Sequence, residues 1–235
     1  MKTVTWLSPH DAPEWFPPLE QALDEPPGLL AAGGDLSPPR LLAAYQRGIF
    51  PWYSPGQPVL WWSPDPRAVL FPEEFNCSRS LAKTIRNGGF EVVVDRDFAA
   101  VIDACAAPRP HAPGTWITSE MRNAYLRLHR LGVAHSIEAW RAGKLAGGLY
   151  GVRLGGVFFG ESMFSRERDA SKAALAQLVA LCRVNALAVI DCQLPSRHLM
   201  GLGARAIPRS QFQALLHEHV RAPLPPLRAL AVSPR

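Results

Sequence analysis

Val157-Phe-Phe-Gly-Glu-Ser-Met-Phe164 and Leu187-Ala-Val-Ile-Asp-Cys-Gln193 are two apolar, strand-length runs separated by Asp169 to Arg183, a stretch with helical spacing. Strand, helix and strand in that order predict a β-α-β crossover, because parallel strands need a long connection whereas antiparallel strands are joined by tight turns. Just upstream, Ala134 to Arg141, Lys144 to Arg153 and Gly156 to Phe164 are linked by Ala142-Gly143 and Gly155-Gly156. This predicts an antiparallel meander that feeds the crossover. One sheet with both kinds of pairing follows, hence a mixed α/β (α+β) fold.

The alternation of strands and helices extends back to Arg67: Ala68 to Phe71, a helix after Ser78, Phe90 to Asp95, a helix over Phe98 to Ala106, a loop with Pro108, Pro110 and Pro113, and a helix over Ser119 to Leu131. Ser78 as N-cap and Gly88 past the C-terminus bound the first of these helices. Its Arg79, Lys83 and Arg86 fall at i, i+4 and i+7, facing away from Leu81 and Ile85. Three cations on one face can track a phosphate backbone, and the same pattern also suits a solvated face.

The first 65 residues differ. They are rich in proline, glycine and tryptophan, with one helix, Ser37 to Gln46, opened by Ser37-Pro38 and closed by Gly48. They read as a small loop-rich domain, 1–65, ahead of a main domain, 66–235. From Gly48 to Arg67, Pro51, Pro55, Pro58, Pro64 and Pro66 stiffen a path that carries Phe50, Trp52, Tyr53, Trp61 and Trp62. Rings held this way cost little further entropy to bind something flat, or they clamp the loop to a core. After Arg221 the proline-bearing tail reads as extended.

The chain has 235 residues, 48% hydrophobic and 19% charged, with a net charge of +5, a balance that favours a polyanionic partner. No run approaches the ~20 apolar residues of a membrane span, and no secretory leader is visible, so a cytoplasmic location is expected. Cys77, Cys105, Cys182 and Cys192 show neither zinc nor disulfide spacing and read as buried thiols. His217-Glu218-His219 lacks the i, i+4 spacing of a helical metal site, so no metal is implied.

A period of two along the first quoted strand puts Phe159, Glu161 and Met163 on one face; on the second, Asp191 and Gln193 share a face opposite Ile190 and Cys192. If the strands are neighbours, Glu161 meets Asp191 or Gln193 across the ladder. Such a cluster is either a reactive site near strand ends or a polar network that fixes register. Gly28 to Gly34 fits no phosphate-binding loop. Gly160-Glu-Ser-Met-Phe164 misses the last glycine of a nucleophile elbow, which makes Ser162 a poor nucleophile. The order of elements also suits a GNAT-type N-acetyltransferase using coenzyme A, yet the turn Ser165-Arg-Glu-Arg-Asp-Ala-Ser-Lys172 lacks the glycines that hold a pyrophosphate. A non-catalytic aromatic binding module is the other alternative.

Gly28-Leu-Leu-Ala-Ala-Gly-Gly-Asp-Leu-Ser-Pro38, Tyr45-Gln-Arg-Gly-Ile-Phe-Pro-Trp52, Leu60-Trp-Trp-Ser-Pro-Asp-Pro-Arg-Ala-Val-Leu70, Gly114-Thr-Trp-Ile-Thr118, Phe159-Gly-Glu-Ser-Met-Phe-Ser165 and Ile190-Asp-Cys-Gln193 together resemble the bacterial leucyl/phenylalanyl-tRNA–protein transferases. The resemblance implies a monomeric cytoplasmic enzyme that moves leucine or phenylalanine, and less readily methionine, from aminoacyl-tRNA to a protein's N-terminal arginine or lysine, creating a degradation signal. It implies a GNAT-like larger domain and no metal, ATP or coenzyme A. By the same resemblance Glu161, Asp191 and Gln193 form the catalytic network, with Asp191 as base directly or through Gln193, and Glu161 fixing Gln193 and attracting the acceptor's cation. Tyr45, Trp52, Trp116, Tyr125, Leu149, Phe158 and Ile190 match the pocket for the transferred side chain and the 3′-terminal adenosine. Arg79, Lys83 and Arg86 match the region that grips the acceptor arm.

Overall fold

The computed structural model describes residues 2–108 and 115–223. Pro110, Pro113, Gly114 and the tail beyond position 223 lie outside them. In chain order the first elements are β1 (Thr5–Leu7), β2 (Leu29–Gly33), α1 (Pro38–Gln46), β3 (Phe50–Pro51) and β4 (Leu60–Trp62). Then come β5 (Arg67–Leu70), α2 (Arg79–Asn87), β6 (Glu91–Val94), α3 (Phe98–Ala106), α4 (Ser119–Arg130), β7 (Ala134–Arg141), β8 (Lys144–Leu154) and β9 (Val157–Ser165). The chain continues through α5 (Ala170–Val184), β10 (Val189–Gln193), α6 (Arg197–Gly201), β11 (Arg205–Ile207) and α7 (Arg209–His219).

The main sheet has the strand order β11-β5-β10-β9-β8-β7-β6. The meander pairs antiparallel, and β10 joins β9 in parallel after the α5 crossover, so the mixed α/β expectation holds. Side chains alternate across this sheet because successive residues of a strand point to opposite faces. On one face Val157 and Phe159 of β9 join Val101 and Ile102 of α3, Tyr125 of α4 and Tyr45 of α1 in a buried apolar cluster. On the other, Phe158 and Leu149 join Leu81 of α2 and Leu175 and Leu178 of α5. Helices α2 and α4 are capped by side chains their sequences supply: the Ser78 hydroxyl accepts from the Leu81 amide and Thr118 from Met121.

The loop-rich N-terminal part also carries a small sheet that its sequence did not mark. Its strands form a four-stranded sheet, β1-β2-β4-β3, and its Leu7, Leu30 and Trp61 belong to the same apolar cluster as α3 and α4. Fully buried Leu29-Leu-Ala-Ala-Gly33 does not alternate, which removes the usual strand signature. Cys105 and Cys182 are buried and Cys192 half-buried, but Cys77 is exposed, because it lies just before α2 on the surface.

Close packing at β8 depends on glycine. A Cβ on Gly151 would stand 2.2 Å from the Phe159 carbonyl oxygen and 2.5 Å from the Phe158 ring. Gly151→Ala is expected to lower stability by about 1–3 kcal/mol through overpacking. A denaturation midpoint equal to that of the unaltered protein would show that β9 yields freely there.

Candidate active site

The parallel pair β9 and β10 is hydrogen-bonded through Val189–Val157, Ile190–Phe158 and Asp191–Phe159. Beyond that point each strand breaks step with its other neighbour. On β9 the register against β8 passes from Gly160 to Ser162, leaving Glu161 as an extra residue; on β10 the register against β5 slips at Cys192. These are β-bulges, which re-aim side chains. The first corrects the expected alternation: Phe159 and Glu161 do share the face of α1 and α4, but Met163 packs on the opposite face with Leu149 and Ile190.

Glu161 is thereby directed at two buried tyrosines. Tyr45 of α1 donates to Oε1 and Tyr125 of α4 to Oε2, both at 2.7 Å, and the two hydroxyls are 2.6 Å apart. Burial pushes the Glu161 carboxyl up to about 7, although both tyrosine hydrogen bonds act in the opposite sense. All three neighbouring phenols, Tyr45, Tyr125 and Tyr150, are held well above their ordinary range by burial and by the Glu161 charge. Glu161 therefore fixes neither Asp191 nor Gln193 by a hydrogen bond; its oxygens serve the tyrosines.

Asp191, fully buried, accepts from Nε and Nη2 of Arg67 at 2.7 Å each. The guanidinium is itself sandwiched, 4.8 Å from the ring centres of Phe50 and of Phe212. Asp191 Oδ1 also accepts the backbone N–H of Gln193 at 3.0 Å. Gln193 takes φ 58°, a left-handed conformation that costs a non-glycine residue about 1–3 kcal/mol and persists only where its surroundings impose it. Its amide nitrogen is buried without a hydrogen-bond partner.

Where β9 and β10 part, two cavities open. One, about 130 Å³, is lined by Leu149, Met163, Leu175, Leu178, Ile190 and Leu199 together with Glu161, Cys192 and Gln193. The other, about 250 Å³, is lined by Phe50, Pro51, Trp52, Trp116 and Leu194, again with Glu161, Cys192 and Gln193. Trp52 and Trp116 continue into a larger aromatic cavity of about 670 Å³ with Tyr53 and Trp62. The Trp62 indole donates to the Trp52 carbonyl at 2.6 Å, which ties this wall together.

The sequence settles what kind of protein carries this arrangement. The family described as leucyl/phenylalanyl-tRNA protein transferase matches residues 69–217, and its N-terminal domain matches 34–65. The chain belongs to that family. The leucyl/phenylalanyl-tRNA–protein transferase of Stutzerimonas stutzeri strain A1501 is 59% identical over 220 residues, 94% of this chain and 96% of that protein. Those of Pseudomonas aeruginosa strain LESB58 and Azotobacter vinelandii are each 59% identical, covering 92% and 88% of this chain and 95% and 92% of the relatives. Among solved structures, L-PGS from Bacillus licheniformis aligns with a TM-score of 0.40 at 12% identity over 66% of this chain and 50% of that one, too distant to bear on function.

As a member of the leucyl/phenylalanyl-tRNA–protein transferase family the chain is an aminoacyltransferase. Of the pocket residues expected from sequence, Leu149 and Ile190 line the small cavity, and Trp52 and Trp116 the aromatic one. Tyr45 and Tyr125 lie beneath the junction and reach it through Glu161. Phe158 does not line the cavity; it is buried in the cluster behind Leu149 and Ile190, with its ring against Gly151. Sequence reading missed Leu175, Leu178 and Leu199, of which the first two show the i, i+3 spacing of one helix face. It also gave no role to Arg67, whose partner lies 124 residues away. Arg79, Lys83 and Arg86 are exposed on α2, away from the buried Leu81. Among the described residues no helix is long and apolar enough to cross a membrane, and no group of three metal-ligating side chains is present.

Proposed function

We propose that this transferase moves leucine or phenylalanine, and less readily methionine, from aminoacyl-tRNA to the N-terminal arginine or lysine of a protein, marking that protein for degradation in the cytoplasm. The observation that carries this reading is the seam: Glu161, Cys192 and Gln193 line the apolar cavity and the aromatic cleft at once. An aminoacyl ester has the same two-part shape. Its side chain fits the cavity of about 130 Å³, far below the ~300–1,000 Å³ of a drug-sized site, and its adenine stacks in the cleft of Trp52 and Trp116. The reacting ester carbon then lies between them, at the seam.

The ester is already activated, so its attack by an amine runs downhill without ATP, metal or coenzyme A. An α-ammonium has a pKa of ~7.7–8.0, so a useful fraction is free amine near neutral pH. Positioning amine and ester together supplies ~7–11 kcal/mol of the barrier. Asp191 is occupied by Arg67 and acts by clamping the Gln193 backbone; the unpartnered Gln193 amide nitrogen donates to the ester carbonyl as negative charge develops there. Glu161 is the carboxyl group of the seam not already paired with a cation, which suits it to an arginine or lysine side chain.

On this reading the narrow cavity selects side chains unbranched at Cβ. In competition, leucine is therefore expected to be transferred at least about 10-fold faster than isoleucine or valine, since one misplaced methylene is worth ~1–3 kcal/mol. Leu178→Phe, which shrinks the cavity, should reduce phenylalanine transfer more than leucine transfer. Equal transfer of all four amino acids would remove this cavity from donor selection.

A further inference from the structure

The oxygens around Glu161 can be counted against their protons. Tyr45 Oη to Glu161 Oε1, Tyr125 Oη to Glu161 Oε2 and Tyr45 Oη to Tyr125 Oη are three contacts of 2.6–2.7 Å, each of hydrogen-bond length. Each needs one proton. The two phenols bring two, and among the described residues no other donor reaches the ring: the Tyr150 hydroxyl is buried and has no partner. With Glu161 ionised, both phenols point at the carboxylate and the tyrosine oxygens face each other across 2.6 Å with lone pairs only. With Glu161 neutral the ring closes, Glu161 donating to one tyrosine, that tyrosine to the other, and the second back to the remaining carboxyl oxygen.

We propose that Glu161 rests as a neutral acid within this ring and delivers its proton to the ribose oxygen that leaves as the aminoacyl ester is cleaved. This rests on the placement of the ester at the seam. The amine nitrogen forms the new C–N bond to the ester carbon, and the C–O bond to the ribose breaks. The departing oxygen keeps that electron pair and takes the Glu161 proton, while the proton shed by the nitrogen returns to the Glu161 carboxylate. Ester and amine become amide and ribose hydroxyl, and the enzyme is restored.

Burial, more than the neighbouring groups, sets the resting state of Glu161. Asp191 on β10 opposes its ionisation, the hydrogen bonds from Tyr45 on α1 and Tyr125 on α4 and the charge of Arg67 on β5 favour it, Tyr150 on β8 faces it as a buried phenol, and desolvation outweighs the groups that favour the charge. Burial raises the carboxyl to about 7, which suits an acid working near neutral pH. A cationic acceptor side chain arriving beside Glu161 would strengthen the acid at the moment of reaction. Tyr45 and Tyr125 are thus positioning residues.

The test compares two minimal donors that share one nucleoside, leucyl-adenosine joined through its 3′ oxygen and its counterpart joined through a 3′ sulfur. A thiolate leaves without help, whereas an alkoxide needs a proton. Glu161→Gln preserves size and can still donate to a tyrosine. With the acceptor peptide saturating, so that any loss of acceptor binding drops out, it should lower kcat/KM for the oxygen ester by about 100-fold or more, the lower end of general acid catalysis, and for the sulfur ester by only a few-fold. In the unaltered enzyme the rate on the oxygen ester should fall above about pH 7, and that limb should be missing with the sulfur ester. Equal losses on both donors, or the same falling limb with both, would overturn the acid. An unaltered enzyme that transfers from neither donor would overturn the seam placement, and the acid with it.

Discussion

Arg67→Met is expected to cost about 3–5 kcal/mol of folding stability, because it strips the paired cation from a carboxylate with no access to water. Asp191 is 0% exposed and its side chain is held by two 2.7 Å bonds from Arg67. Methionine fills the space between Phe50 and Phe212 but leaves the buried charge unpaired. Replacing both partners, Arg67→Met with Asp191→Leu, should recover most of that stability, since a well-packed apolar pair of similar volume often matches a buried ion pair. Activity should stay low in the double variant. The Gln193 backbone N–H loses its acceptor there, and the left-handed turn that aims the side chain at the seam loses its clamp. Urea denaturation and single-turnover transfer on the three variants separate the two effects. A stable double variant with full turnover would show that Asp191 does not hold Gln193 in place.

The second large effect is expected in the salt dependence of tRNA binding. Arg79, Lys83 and Arg86 stand exposed on α2, which packs beside α5 with Leu81 and Ile85 in their shared apolar cluster. If these cations each neutralise one phosphate, their joint replacement by alanine should reduce the slope of log affinity against log salt by about 2–3. Amino-acid preference should not change, since α2 lines neither cavity of the seam. An unchanged slope would mean that the face of α2 is merely solvated.

Local rules carried the elements whose ends are marked in the sequence. Ser37-Pro38 opens α1, Ser78 and Gly88 bound α2, and the crossover through α5 follows from two strands too far apart for a hairpin. The strands of the N-terminal sheet were hidden because they are short and carry no alternation: β3 is two residues long, and β2 is buried throughout. A strict period of two failed at the Glu161 bulge of β9, and the site is built there and at the register slip at Cys192 of β10. An extra residue in a strand leaves no trace in its own sequence; it is imposed by the neighbours. The pairing of Asp191 with Arg67 and the ring of Glu161 with Tyr45 and Tyr125 join residues 36 to 124 positions apart, so only the folded sheet brings them together.

The most direct test of the account is the transfer of labelled phenylalanine from Phe-tRNA to a peptide beginning with arginine, beside one beginning with alanine, without ATP, metal or coenzyme A. Label on the arginine peptide alone is the predicted result. Label on neither peptide, or equally on both, would contradict it.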